Sequence, residues 1–154
     1  MEEQIIKESK TYLENVNNGI SKTRDRAWQL LAFVLAVNVY LGKSVIEKNT
    51  IVMIHYLLPI CFFFSLFIFY NLYKTLLPSG LIVNGFEPVK LEQISKDGDA
   101  FFFESLKHSL QIAIDSNQSI LSDMIMSYKL AVKAVIAMVS IFMCLVFCSY
   151  VLSC

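Results

Sequence analysis

Charge is scarce in this sequence, and three long stretches have none. Asp, Glu, Lys and Arg make up 17% of the 154 residues, against roughly a quarter in soluble proteins. No charged residue falls in Ala27 to Gly42, Asn49 to Tyr73 or Ala134 to Cys154. A soluble domain of this size is hard to reconcile with such runs. Chemistry-bearing residues are equally thin. There are two histidines, His55 and His108, neither with a triad or metal set near it in sequence. The phosphate-binding G-x-x-x-x-G-K-[ST], the nucleophile elbow G-x-S-x-G, the zinc motif H-E-x-x-H and the dinucleotide fingerprint are all missing. The expectation is a protein that is not an enzyme and takes no cofactor or metal. Formal net charge is zero, so the overall balance carries no footprint of direct nucleic-acid binding.

The chain is instead rich in apolar residues, 56% of the total. A helix needs about 20 of them, at 1.5 Å each, to cross a hydrocarbon core of ~30 Å. The second and third uncharged runs are long enough outright. The first reaches that length only by continuing through Ser44, Val45 and Ile46 while Lys43 extends its ammonium toward the headgroups. A buried core helix or an interfacial helix is the alternative for this run, and crossing is the reading preferred. A cleaved signal peptide fits worse, because the segment before it is long and acidic. Arg24, Arg26 and Trp28 mark an interface belt where this run begins.

The basic residues give an orientation. Five Lys and Arg lie in Met1 to Arg26, two in Lys43 to Lys48 and six between Lys74 and Lys133. Placing the first and last groups on one side makes that side cytoplasmic by the positive-inside rule. The expected fold class is therefore an all-α membrane protein with three transmembrane helices and a cytoplasmic helical bundle or coiled-coil extension. Its segments are a cytoplasmic amphipathic helix 1–26, a first span 27–46, a second span 49–73, a cytoplasmic loop 74–100, a coiled-coil-like helix 101–133 and a third span 134–154. The N-terminus is expected in the cytoplasm and the C-terminus in the periplasm of a bacterial inner membrane. Cys61, Cys144 and Cys148 fall in spans and read as small apolar fillers rather than a disulfide framework or zinc site. Cys154 is a lesser candidate for an intersubunit disulfide or lipid modification.

Two helical stripes stand out. In the first segment Ile6, Ser9, Leu13, Val16, Ile20, Thr23 and Ala27 recur at steps of three and four, with a kink or break expected at Asn17, Asn18 and Gly19. In the second, Phe103, Leu106, Leu110, Ala113, Asn117, Ile120, Met124 and Ser127 keep the same steps, and Ala131 continues them into the third span. This is a heptad pattern, with Asn117 where a single polar residue commonly fixes register or oligomer state. Two readings stay open for it: an oligomer seam between copies, and packing inside one chain. The helix is expected to run unbroken from about Asp99 to Cys154, so that movement of the cytoplasmic part is felt in the membrane. Pro59 is expected to kink the second span. Asn38 and His55, within the spans, are candidates for lining a water path. The loop, punctuated by Pro78, Gly80, Gly85, Pro88 and Gly98, carries a short extended piece at Leu81 to Asn84. Its Phe86, Glu87 and Pro88 are a candidate docking surface.

Thr23-Arg24-Asp25-Arg26-Ala27-Trp28 where the first span begins, a tight two-span hairpin, the Phe86-Glu87-Pro88 loop and a long helix from Leu106 to Lys133 leading into a last span form a recognisable layout. It resembles the small multi-pass membrane effectors of bacterial anti-phage systems, in particular those of retrons and more loosely the two-span effectors linked to cyclic-nucleotide signalling. The likeness covers nearly the whole chain and is one of architecture. It implies a toxic inner-membrane effector that oligomerises and, once activated through a partner complex, permeabilises or depolarises the membrane in abortive infection. With no nucleotide-sensing segment apparent, the trigger is expected on a soluble regulatory protein or ribonucleoprotein partner. The alternative is a non-toxic structural or adaptor subunit that recruits a soluble partner through its cytoplasmic loop and helices. The resemblance transfers no functional residue.

Overall fold

The computed structural model describes residues 2–46, 53–77 and 99–153, with side chains described for 4–40, 43, 59–77, 101–144 and 147. Among these residues the elements are three α-helices: α1 (Glu2–Ile46), α2 (Met53–Leu76) and α3 (Asp99–Ser153). Among the described residues there is no strand. The all-helical class agrees with the sequence reading, and so does the length of α3, 55 residues without interruption.

The expected break in α1 does not occur. The helix is continuous over 45 residues through Asn17, Asn18 and Gly19. Each has poor helix propensity, and Gly alone costs about 1 kcal/mol relative to Ala, but two of them are used in packing. A Cβ on Gly19 would lie 3.0 Å from Leu121 Cδ2, so the missing side chain is what admits Leu121. Asn117 Nδ2 donates to Asn17 Oδ1 at 2.8 Å. Tertiary contact here outweighs local preference.

In α2, Pro59 lies within the helix rather than at its start. It removes one donor, a loss that apolar spans tolerate when neighbouring groups adjust. The helix also runs past its expected end at Tyr73. Thr75 is fully buried, Lys74 complements the negative end of the helix dipole, and Leu77 N–H closes onto the Tyr73 carbonyl at 3.0 Å. The rest of the expected loop, with Phe86, Glu87, Pro88 and the piece at Leu81 to Asn84, lies outside the described residues.

The chain divides into two compact units. The first joins α1 up to Thr23 with α3 up to Met124, and the second joins the remainder of α1 and α3 with α2. In the first unit the two heptad stripes meet each other. Ile6 and Leu13 form a cluster with Leu110, Ala113 and Ile114, against which Phe103 and Leu106 pack. Val16 and Ile20 form another with Met124, joined by Ile120 and Leu121. Contacts pair Asn17 with Asn117 and Gly19 with Leu121, so numbering rises together and the helices run parallel. In this structure the stripe packs within the chain. Leu110 is 4% exposed and Asn117 0%, so the face offered to a second copy is taken by α1. Burying each Leu or Ile of this seam contributes about 1.5–3 kcal/mol.

In the second unit α2 presents Cys61, Ser65, Ile68, Leu72 and Thr75, all buried and spaced by alternating fours and threes. They meet Ala27 and Val34 of α1 and Ala131, Ala134, Val135 and Met138 of α3 in one cluster. Alanine, serine and cysteine at these positions let helix backbones approach closely, the packing mode of helices in lipid.

Candidate functional site

The second unit buries several polar side chains within its apolar cluster and leaves many large apolar ones outside. Ser65, Asn71 and Thr75 are buried on α2, and Asn38 on α1 is half-buried. On the outside stand Val39 and Tyr40 of α1, Phe62, Phe63, Phe67, Tyr70 and Tyr73 of α2, and Ile136, Met143 and Phe147 of α3, with Val39 71% and Phe63 69% exposed. Soluble proteins rarely leave so many large apolar side chains in the open on one unit. Among the described residues two helices are long and apolar enough to cross a membrane, α2 over Pro59–Leu76 and α3 within Phe101–Cys144, and only 33% and 22% of those stretches are buried. The core helix of a soluble protein would be mostly buried. The first span expected at 27–46 is not among them; its uncharged run ends at Lys43, short of the ~20 residues a span needs.

Each inward polar group has its hydrogen bond satisfied. Asn38 Nδ2 donates to the Val34 carbonyl at 2.8 Å, and its Oδ1 accepts from Ser65 Oγ at 3.0 Å. Asn71 Nδ2 donates to the Phe67 carbonyl at 2.9 Å, and Thr75 Oγ1 to the Asn71 carbonyl at 3.0 Å. Asn71 and Thr75 are thus closed upon their own helix, while the Asn38–Ser65 bond joins α1 to α2. An unmade bond in such surroundings costs about 1–3 kcal/mol. The donors of the stripe are taken up by protein acceptors, and Asn38 Oδ1 and Ser65 Oγ would lose their shared bond to water if α1 and α2 separated.

One end of the unit is basic and aromatic. Lys74 Nζ lies 4.7 Å from the centroid of the Tyr70 ring, a cation–π contact. Arg26 is exposed on α1, beside a Trp28 that is 56% exposed. Arg24 Nε is buried without a hydrogen-bond partner among the described residues.

Of the positions singled out in the sequence, Asn38 falls on this inner stripe. His55 lies in α2, with its side chain outside the described set. Phe103, Leu106, Leu110, Ala113, Asn117, Ile120 and Met124 line the intrachain seam of the first unit. Cys61 is buried in the cluster and Cys144 is exposed, whereas the side chain of Cys148 and all of Cys154 are not described. His108 is exposed. Among the described residues no group of three or more His, Cys, Asp or Glu side chains is placed to hold a metal. Sequence reasoning missed Ser65, Asn71 and Thr75. The signal was there: they are polar residues at helical spacing in an otherwise apolar run, on the face shared with Cys61, Ile68 and Leu72.

Comparison of the chain with protein-family models, curated proteins and solved structures returns no match.

Proposed function

We propose that this chain is a three-span membrane protein that permeabilises or depolarises a bacterial inner membrane when a partner complex activates it, in the manner of anti-phage membrane effectors. The observation that carries the reading is the surface of the second unit, where bulky apolar groups stand outside while Asn38, Ser65, Asn71 and Thr75 are hydrogen-bonded within. Lipid is the solvent that suits such a surface. The bonded stripe suits a resting, closed form in which no water path exists. Further copies of the chain and a soluble protein or ribonucleoprotein are the partners this role requires. Three helices enclose no pore, so a conducting form draws on several copies.

Treating α1 as the third span rests on packing rather than composition. Ala27, Leu30, Leu31, Val34 and Val37 share one cluster with the apolar faces of α2 and α3. A helix packed side by side with two spans lies at their depth, and Lys43 then reaches the headgroups on its flexible stem. With three crossings the positive-inside rule keeps Lys7, Lys10, Lys22, Lys107 and Lys129 on the cytoplasmic side. A reporter fused after Cys154 is expected to behave as periplasmic. Cytoplasmic activity there would remove one crossing and with it the membrane role assigned to α1.

Function is tested by inducible expression in a bacterium with growth and a potential-sensitive dye followed together. Loss of potential that precedes growth arrest, alone or on supplying the activating partner, is the expected result. Unchanged potential and growth under both conditions would favour the adaptor reading, in which the chain only anchors a soluble partner.

A further inference from the structure

A groove on the second unit combines an apolar lining with a cation that has no ion-pair partner among the described residues. It has a volume of about 440 Å³ and is lined by Phe63, Phe64 and Phe67 of α2 and Leu130, Lys133 and Ala134 of α3. That size lies within the usual range for sites that take small ligands, roughly 300–1,000 Å³. Lys129 lies one helical turn before Lys133, and residues four apart share a helix face. Both lysines are exposed, and neither has an ion-pair partner among the described residues. In a membrane protein an apolar groove open to the outside fills with an acyl chain. Two ammonium groups above such a chain call for an anionic headgroup, and basic pockets between spans on the cytoplasmic side are where such lipids are held.

We propose that the groove binds one anionic phospholipid, with its phosphate between Lys133 and Lys129 and one acyl chain along Phe63, Phe64 and Phe67. A zwitterionic lipid fills the apolar part equally well, but its own cationic group competes with the lysines for the phosphate. Discrimination therefore resides in the charge pair and retention in the rings. Bound lipid would cover part of the outer faces of α2 and α3, so the resting unit is a lipid-loaded one. The site rests on the membrane reading of the second unit and is independent of whether the chain is toxic.

The test is competitive retention on the full chain in a non-ionic detergent, read by native mass spectrometry with equal amounts of palmitoyl-oleoyl phosphatidylglycerol and phosphatidylcholine. The wild-type chain is expected to keep one phosphatidylglycerol, preferred by about fivefold for each lysine engaged. Lys133→Gln should lower that preference about fivefold, and Lys133→Arg should restore it. Equal retention of the two lipids by the wild-type chain would overturn the proposal, as would an undiminished preference in Lys133→Gln. Should that variant fail to purify, the wild-type competition and Lys129→Gln still decide. Carbonate extraction of the same membranes is read separately: a chain released by carbonate refutes the membrane reading itself, whereas a retained chain without lipid preference refutes only the site.

Discussion

Leu110→Asp is expected to unfold the α1–α3 seam without separating one chain from another. Leu110 is 4% exposed, between Ala113 and Ile114 on its own helix and Ile6 and Leu13 on α1. Truncating such a leucine costs about 2–5 kcal/mol in packing alone, and a carboxylate there adds the cost of desolvating a charge. Together these approach the whole stability of a small domain, about 5–15 kcal/mol. The measurement is limited proteolysis in detergent beside the subunit mass. Cleavage before Thr23 and between Phe103 and Met124 should become rapid, whereas sites between Pro59 and Tyr73 stay protected. The mass should be that of the wild-type particle. If Leu110→Asp instead halves the mass and leaves the segment resistant, the seam joins two chains and the intrachain pairing is wrong.

That pairing also shows what was legible beforehand. Both stripes could be read from spacing, Ile6 to Ala27 and Phe103 to Ala131, because burial on one face of a helix imposes the three-and-four step whichever partner covers it. The partner could not be read. A heptad with a lone asparagine describes a second copy as well as a second helix of one chain, and only the meeting of Asn17 with Asn117 distinguishes them. The same bond explains why the expected break in α1 fails: poor helix formers were judged by propensity, a weak prior that one tertiary hydrogen bond and one close contact can overturn. In the second unit the apolar length of α2 was plain, but its inner face was not. Cys61, Ser65, Ile68, Leu72 and Thr75 alternate with phenylalanines that lie outside, so hydrophobicity alone does not tell the buried face from the exposed one. Asn38 was noticed for its polarity, and its role differs with its partner: bonded to Ser65, it holds α1 to α2.

Asn38→Ala is expected to raise the leak of the resting membrane, and by more than its small energetic effect suggests. The bond from Ser65 Oγ to Asn38 Oδ1 is 3.0 Å long and crosses from α1 to α2. Polar contacts between membrane helices contribute about 0.6 kcal/mol on average and up to about 1.7. Under the effector reading a closed form and a conducting form exchange, and removing that contribution raises a rarely populated conducting form about 3- to 20-fold. Ser65→Ala should do the same, and the double variant should add little to either single one, because both remove one bond. Asn38→Leu separates the lock from polarity as such: it also breaks the bond, but replaces a group that water could solvate with one that repels water, so its leak should fall below that of Asn38→Ala. The readout is dye-reported depolarisation at matched membrane levels without the activating partner. Equal leak in wild type, Asn38→Ala and Ser65→Ala would mean that this bond does not hold the closed form. Additive effects in the double variant would mean that the two residues act separately, and the hold between α1 and α2 would then rest on packing such as that of Ala27, Val34, Ile68 and Leu72 rather than on this bond.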